Sequence, residues 1–264
     1  MSASVQDMKR ALTILAALIL LLVVAVAILL APVLFLRRSV PEGLQVAGIH
    51  IVKDGMVSVG VIPIAPGEVA LIDAGNDASG QAIIDELSRQ QLTADAVTTI
   101  LVTHGHPDHI AAISRFPRAQ VMSLAAEVPL IEGRAAARGP LPRFMPVNPT
   151  GVKVSRSLQD GDTIALGSLA VRVFAVPGHT AGSAGYLVNG VLFLGDAADA
   201  ARDGSLKGSP WIFSDSQAED LASIVRLADR LDKDNIAVDA IVFAHSGALT
   251  EGRAPLTTFA RNHK

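Results

Sequence analysis

From Ala11 to Leu36 the chain carries no charge, and Thr13 is the only polar side chain in those 26 residues. A helix rises about 1.5 Å per residue, so this run is longer than the roughly 30 Å hydrocarbon core of a bilayer. It also exceeds the ~7–15-residue apolar stretch of a cleaved signal peptide, and no clear small-x-small site follows it. The pattern predicts a tail over 1–10, an uncleaved transmembrane helix over 11–36 and a linker over 37–44 containing Pro41 and Gly43. Lys9 and Arg10 before the run balance Arg37 and Arg38 after it. The short tail and its amine favour an N-terminus in the cytoplasm, with the remaining chain, 45–264, on the other side.

Past Leu44 the pattern changes period. Gln45 to Val52, Met56 to Ile64 and Glu68 to Ile72 read as three strands with turns at Asp54-Gly55 and Pro66-Gly67. Ala82, Ile83, Ile84 and Leu87 give Ser79 to Gln90 helical spacing. Val97 to Thr103 is a β-branched apolar run, a buried strand. Ile110 to Phe116 reads as a short helix, Ala119 to Leu124 as a strand, and Ala125 to Ile131 as a helix start. Glu132 to Gly151 has no period, four Pro, and Arg134, Arg138 and Arg143. A loop of that length walls a site or lies against a surface more often than it idles.

Strands resume at Thr163 to Leu166 and Leu169 to Ala175, then form a hairpin, Ala184 to Val188 and Val191 to Leu194, across Asn189-Gly190. Ala198 to Ser216 is polar and holds the only Trp, Trp211. Gln217 to Leu231 is an amphipathic helix with Leu221, Ile224, Val225 and Ala228 on one face. Asp239 to Ala244 is a last strand. His50, inside a strand, reads as a half-buried or surface histidine and not a ligand, and His263, in the tail 256–264, as a solvated one.

Charge narrows the partners. The chain has 22 basic and 25 acidic residues; without Asp7, Lys9 and Arg10 the remainder keeps 20 and 24, a net charge of −4. A slightly acidic domain is a poor nucleic-acid binder. The absence of Cys excludes disulfides and thiolate ligands.

Chemistry gathers at strand ends. Three of the seven histidines fall in His104-Gly105-His106-Pro107-Asp108-His109, directly after the strand ending at Thr103. His179 in Pro-Gly-His-Thr, Asp196 in Gly-Asp-Ala-Ala and His245 in Ala-His-Ser-Gly each follow another apolar run. Imidazole and carboxylate are ligands for zinc and similar divalent ions. Asp73 ends a further strand, in Leu-Ile-Asp-Ala-Gly.

The set HGHPDH, PGHT, GDAA and AHSG, in that order, resembles the metallo-β-lactamase-fold hydrolases, from about Val46 to the C-terminus. The resemblance implies a four-layer αβ/βα sandwich: two mixed sheets face to face, helices outside, two metals at one edge. It implies that His104, His106 and His179 hold one ion, that Asp108, His109 and His245 hold the second, and that Asp196 bridges them. Asp73 would support the ligands, and Asp108 and Asp196 would serve catalysis. The ions would be zinc first, with iron or manganese possible for the same donors. Two such ions activate a shared water for attack on a small, possibly amphiphilic, ester, thioester or lactone. Phosphodiesterase or oxidoreductase chemistry on the same fold is the alternative. Within the resemblance, β-lactamases of the dinuclear class generally lack the bridging Asp. Lactonases often carry a Tyr where this chain has Asp199, and glyoxalase II-type thioesterases have a basic glutathione site not evident here. Di-iron flavin members usually have Glu where His106 stands.

Overall fold

A computed structural model describes residues 5–31 and 37–264. The chain divides into two units, 1–37 and 38–264. In the first, helix α1 runs over Val5–Ala31. It begins before the apolar run, and residues 32–36 of the expected membrane segment lie outside the described residues. Gln6–Ile28 is long and apolar enough to cross a bilayer.

In the second unit the period-2 runs form two sheets. The first orders its strands as they occur in sequence: β1 (Leu44–Val46), β2 (Ile49–Asp54), β3 (Val57–Ala65), β4 (Glu68–Ile72), β5 (Val97–Leu101), β6 (Gln120–Leu124) and β7 (Arg156–Leu158). Pairing is antiparallel from β1 to β4 and parallel from β4 to β7. The second sheet comprises β8 (Thr163–Leu166), β9 (Leu169–Ala175), β10 (Ala184–Val188), β11 (Val191–Phe193), β14 (Ala240–Phe243) and β15 (Gly247–Leu249). Its spatial order is β15-β14-β11-β10-β9-β8. A ribbon of β12 (Ala198–Ala200) and β13 (Leu206–Gly208) lies outside both sheets.

Alternation builds the layers, because successive side chains leave opposite faces of a strand. Ile49, Ile51, Ile62 and Ile72 of the first sheet pack with Val171, Val173, Tyr186 and Phe193 of the second. Val52, Val59, Val61 and Val69 turn the other way, onto α2 (Gln81–Arg89) and the segment around α3 (Pro107–Ile110). Leu187, Leu192 and Ile241 leave the second sheet's outer face to meet α5 (Gln217–Lys233) and α6 (Ala254–Asn262). The result is the expected helix–sheet–sheet–helix sandwich. A one-turn helix, α4 (Val128–Ile131), caps the far end of β6.

The chain ahead of β1 is not free. The Arg38 N–H donates to the Ala200 carbonyl at 2.9 Å and its guanidinium to Ala248 at 3.2 Å, and Val40 is buried. Part of the 37–44 segment is thus a strap along the domain.

Candidate metal centre

The direction of the strands decides where the chemistry meets. β4 and β5 are parallel, so Asp73 and the 104–109 loop leave the first sheet at one edge. β11 and β14 are parallel, and β9 shares their direction because both it and β11 run against β10. His179, Asp196 and His245 therefore leave the second sheet together. Three bonds lock the sheets beside this edge. The Ala184 N–H donates to Thr103 O at 2.9 Å, the Ser58 N–H to Ala244 O at 2.8 Å, and the buried Tyr186 hydroxyl to Val102 O at 2.8 Å.

All seven expected ligand side chains converge there. His104 Nε2, His106 Nδ1 and His179 Nε2 form a triangle with sides of 3.1, 3.2 and 3.0 Å. Asp196 abuts both halves of the cluster: one oxygen is 3.4 Å from His109 Nε2, the other 3.0 Å from His245 Nε2 and 3.6 Å from His179 Nε2. Asp108 lies 3.5 Å from His245 Nε2 and 3.9 Å from His109 Nε2.

Outer partners aim the rings. His109 Nδ1 meets Asp73 Oδ2 at 2.8 Å, and Asp73 also accepts from the Thr103 N–H and hydroxyl, each at 2.7 Å. His245 Nδ1 donates to the Met56 carbonyl at 3.0 Å. His104 Nδ1 lies 3.2 Å from Thr103 Oγ1 and His179 Nδ1 3.4 Å from Ser214 Oγ. Each hydroxyl already donates elsewhere, to Asp73 and to Pro210 O, so it accepts from the ring. A ring that donates outward presents a lone pair inward.

This donor set fits a cation. His104 and His179 thus turn lone pairs inward, and these repel one another unless a positive ion sits among them. Tetrahedral zinc with Zn–N of about 2.0–2.1 Å places its nitrogens about 3.3 Å apart, close to the triangle's sides. His109 Nε2 and Asp196 Oδ1 are buried without a hydrogen-bond partner, as a ligand pair would be. Burial, together with the neighbouring imidazoles, pushes His104 well below the ordinary histidine range. Burial likewise holds His179 low, so both rings are neutral. Burial would raise the Asp196 carboxyl, but His245 and His109 hold it well below the usual range, ionised.

The sequence did not point to Glu127. It is buried, and its carboxylate ties the two ligand loops together. Oε1 accepts from the Gly105 N–H at 2.7 Å; Oε2 accepts from Thr180 Oγ1 at 3.0 Å and the Gly182 N–H at 2.8 Å. Gly182 is required for this approach: a Cβ there would run into the Glu127 backbone. Burial raises the Glu127 carboxyl. An acid before a Val-Pro helix start was the only signal in the sequence. His50 and His263 stand apart, as expected: His50 pairs with Glu86 at 2.7 Å, and His263 stacks on Phe259.

The profile of the metallo-beta-lactamase superfamily matches residues 52–245. A hydroxyacylglutathione hydrolase of Photobacterium profundum is 34% identical over 129 residues, 48% of this chain and 43% of its own length. That of Vibrio campbellii is 28% identical over 165 residues, 61% of this chain and 53% of its own. The chain thus spans about half the length of these relatives. A third, from Shewanella sp., is 29% identical over 71% of each chain. Among solved structures, a subclass B3 metallo-β-lactamase of Bradyrhizobium japonicum superposes with a TM-score of 0.62, 21% identity, and coverage of 86% of this chain and 92% of its own. A B3 enzyme with an active-site glutamic acid gives 0.64 at 18% identity over 85% and 88%. At such identities the structural likeness is one of fold.

Proposed function

The chain belongs to the metallo-β-lactamase superfamily, and from that premise we propose that it is a membrane-anchored, dinuclear metal-dependent hydrolase of a small ester, thioester or lactone. In this reading His104, His106 and His179 hold one divalent ion, Asp108, His109 and His245 hold the other, and Asp196 contacts both. Zinc suits these donors best, and iron or manganese would be accepted. Two ions bound there would acidify a water and polarise the scissile carbonyl.

The protein's own groups do the rest. Asp73 holds His109 with Nε2 turned inward. Glu127 keeps the loops carrying His104, His106 and His179 in register. Asp108, 28% exposed against 10% for Asp196, is the more solvent-facing of the two carboxylates. The thioester option draws on the relatives' names and the lactone and ester options on the same carbonyl chemistry.

The observation that carries the proposal is the nitrogen triangle with Asp196 against both halves of the cluster. Elemental analysis of the detergent-purified full-length protein should find about two metals per chain; fewer than about one after metal-supplemented growth sinks the dinuclear reading. On a panel of esters, thioesters and lactones, Asp196→Ala should lose at least about 100-fold in turnover, beyond the 10–100-fold typical of an outer-shell partner. Wild-type rates in that variant would place the chemistry elsewhere.

A further inference from the structure

Next to the cluster, the unpatterned loop encloses an open cavity of about 290 Å³. Its floor is the metal-loop segment itself, with His106 and Ile110; Leu130, Met145 and Val147 form the facing wall. None of the residues around it is Asp, Glu, Lys or Arg, and His106 is the only titratable one. Thr150, one of its few polar groups, is already engaged: its hydroxyl donates to Ile131 O at 2.7 Å and accepts from the Val152 N–H at 3.1 Å. Beside the cavity the loop is held to the 212 segment, where the Leu141 N–H donates to Ile212 O at 2.9 Å.

None of the loop's three arginines lines the cavity. Arg134 pairs with Glu132 at 2.9 Å, Arg138 with Asp215 at 3.1 Å, and the Arg143 guanidinium lies 4.9 Å over the Phe144 ring. Away from His106, a charged moiety in this cavity would lose its water and meet no charged side chain, which is costly. An alkyl chain would lose only unfavourable hydration.

We propose that this cavity binds the aliphatic acyl chain of the substrate, so that the protein favours medium-chain acyl esters or thioesters. The inference rests on the hydrolase reading for its reaction, but the cavity can be tested apart from it. A volume of about 290 Å³ leaves room for an aliphatic chain of several carbons.

Two measurements on the full-length protein in detergent decide it. The first is turnover of p-nitrophenyl acetate, butyrate, hexanoate and octanoate. The expected kcat/KM rises about 3- to 4-fold per added methylene up to hexanoate, and Ala135→Phe, at a residue lining the cavity, flattens the series. A flat series in the parent, or one that Ala135→Phe leaves unchanged, overturns the proposal. The second needs no activity. The chain has no cysteine, so Ala135→Cys gives a single thiol in the cavity and Glu68→Cys, on an exposed strand end, a control. Hexanamide should slow maleimide labelling of the first several-fold and leave the second unchanged; glutathione should slow neither. Equal labelling with and without hexanamide removes the cavity's role. No turnover of any ester, with hexanamide protection intact, removes the hydrolase reading and leaves the binding site standing.

Discussion

At the scale of single residues, Glu127 links the two ligand loops through three hydrogen bonds to one carboxylate. Gln in its place turns an NH2 toward one of two backbone N–H donors, leaving buried donors face to face. Such a defect costs about 1–3 kcal/mol, and outer-shell loss lowers metal affinity about 10–100-fold. Glu127→Gln should therefore give up zinc to a competing chelator at lower concentration and melt several degrees lower. A variant with unchanged zinc affinity would make Glu127 a mere core hydrogen bonder. The candidate ligands were legible because each sits in a short sequence phrase after an apolar run. Glu127 was not, because its meaning lies in what Gly105 and Gly182 bring to it from 22 and 55 residues away.

At the scale of elements, α5 carries a conflict in its first turn. Asp220 is fully buried; its Oδ2 accepts from the Ser209 N–H at 3.0 Å, while Oδ1 has no hydrogen-bond partner. Burial pushes this carboxyl up to about 7. The folded protein then holds the proton more tightly than the unfolded chain, so the contribution is full below about pH 4 and is lost as pH rises through 7. Asp220→Asn keeps the acceptor for Ser209 and removes the ionisation. In metal-free protein its stability advantage over the parent should grow from pH 4 to 7 and level off above, reaching at most about 4 kcal/mol. Parallel pH curves would show the carboxyl to be ionised throughout. The long strands and α5 were legible from their periods. β7, β15, the β12–β13 ribbon and α6 were not: the strands span three residues each, too few for alternation to register, and α6 shows only Leu256, Phe259 and Ala260 turned inward.

At the scale of the whole molecule, one helix among the described residues is long and apolar enough to cross a membrane, and it accompanies a two-sheet sandwich. As an uncleaved anchor, it should keep the domain with membranes through a high-salt wash, with release only by detergent. With the N-terminus inside, protease added to intact spheroplasts should digest the domain; protection would reverse the orientation and leave the anchor. A mature N-terminus beyond Leu30 would remove the anchor. The strap has a consequence for biosynthesis. Arg38 leaves the ribosome early, yet its guanidinium bonds to Ala248, 210 positions later, and Pro41 packs on Gly247. Contacts so distant in sequence close last, since loop closure must precede them. As an anchor, the apolar helix would thus reach the insertion machinery before the strap can close on the domain. Nascent chains stalled ahead of Gly247 should leave residues 38–41 open to protease, and chains released past Leu249 should protect them.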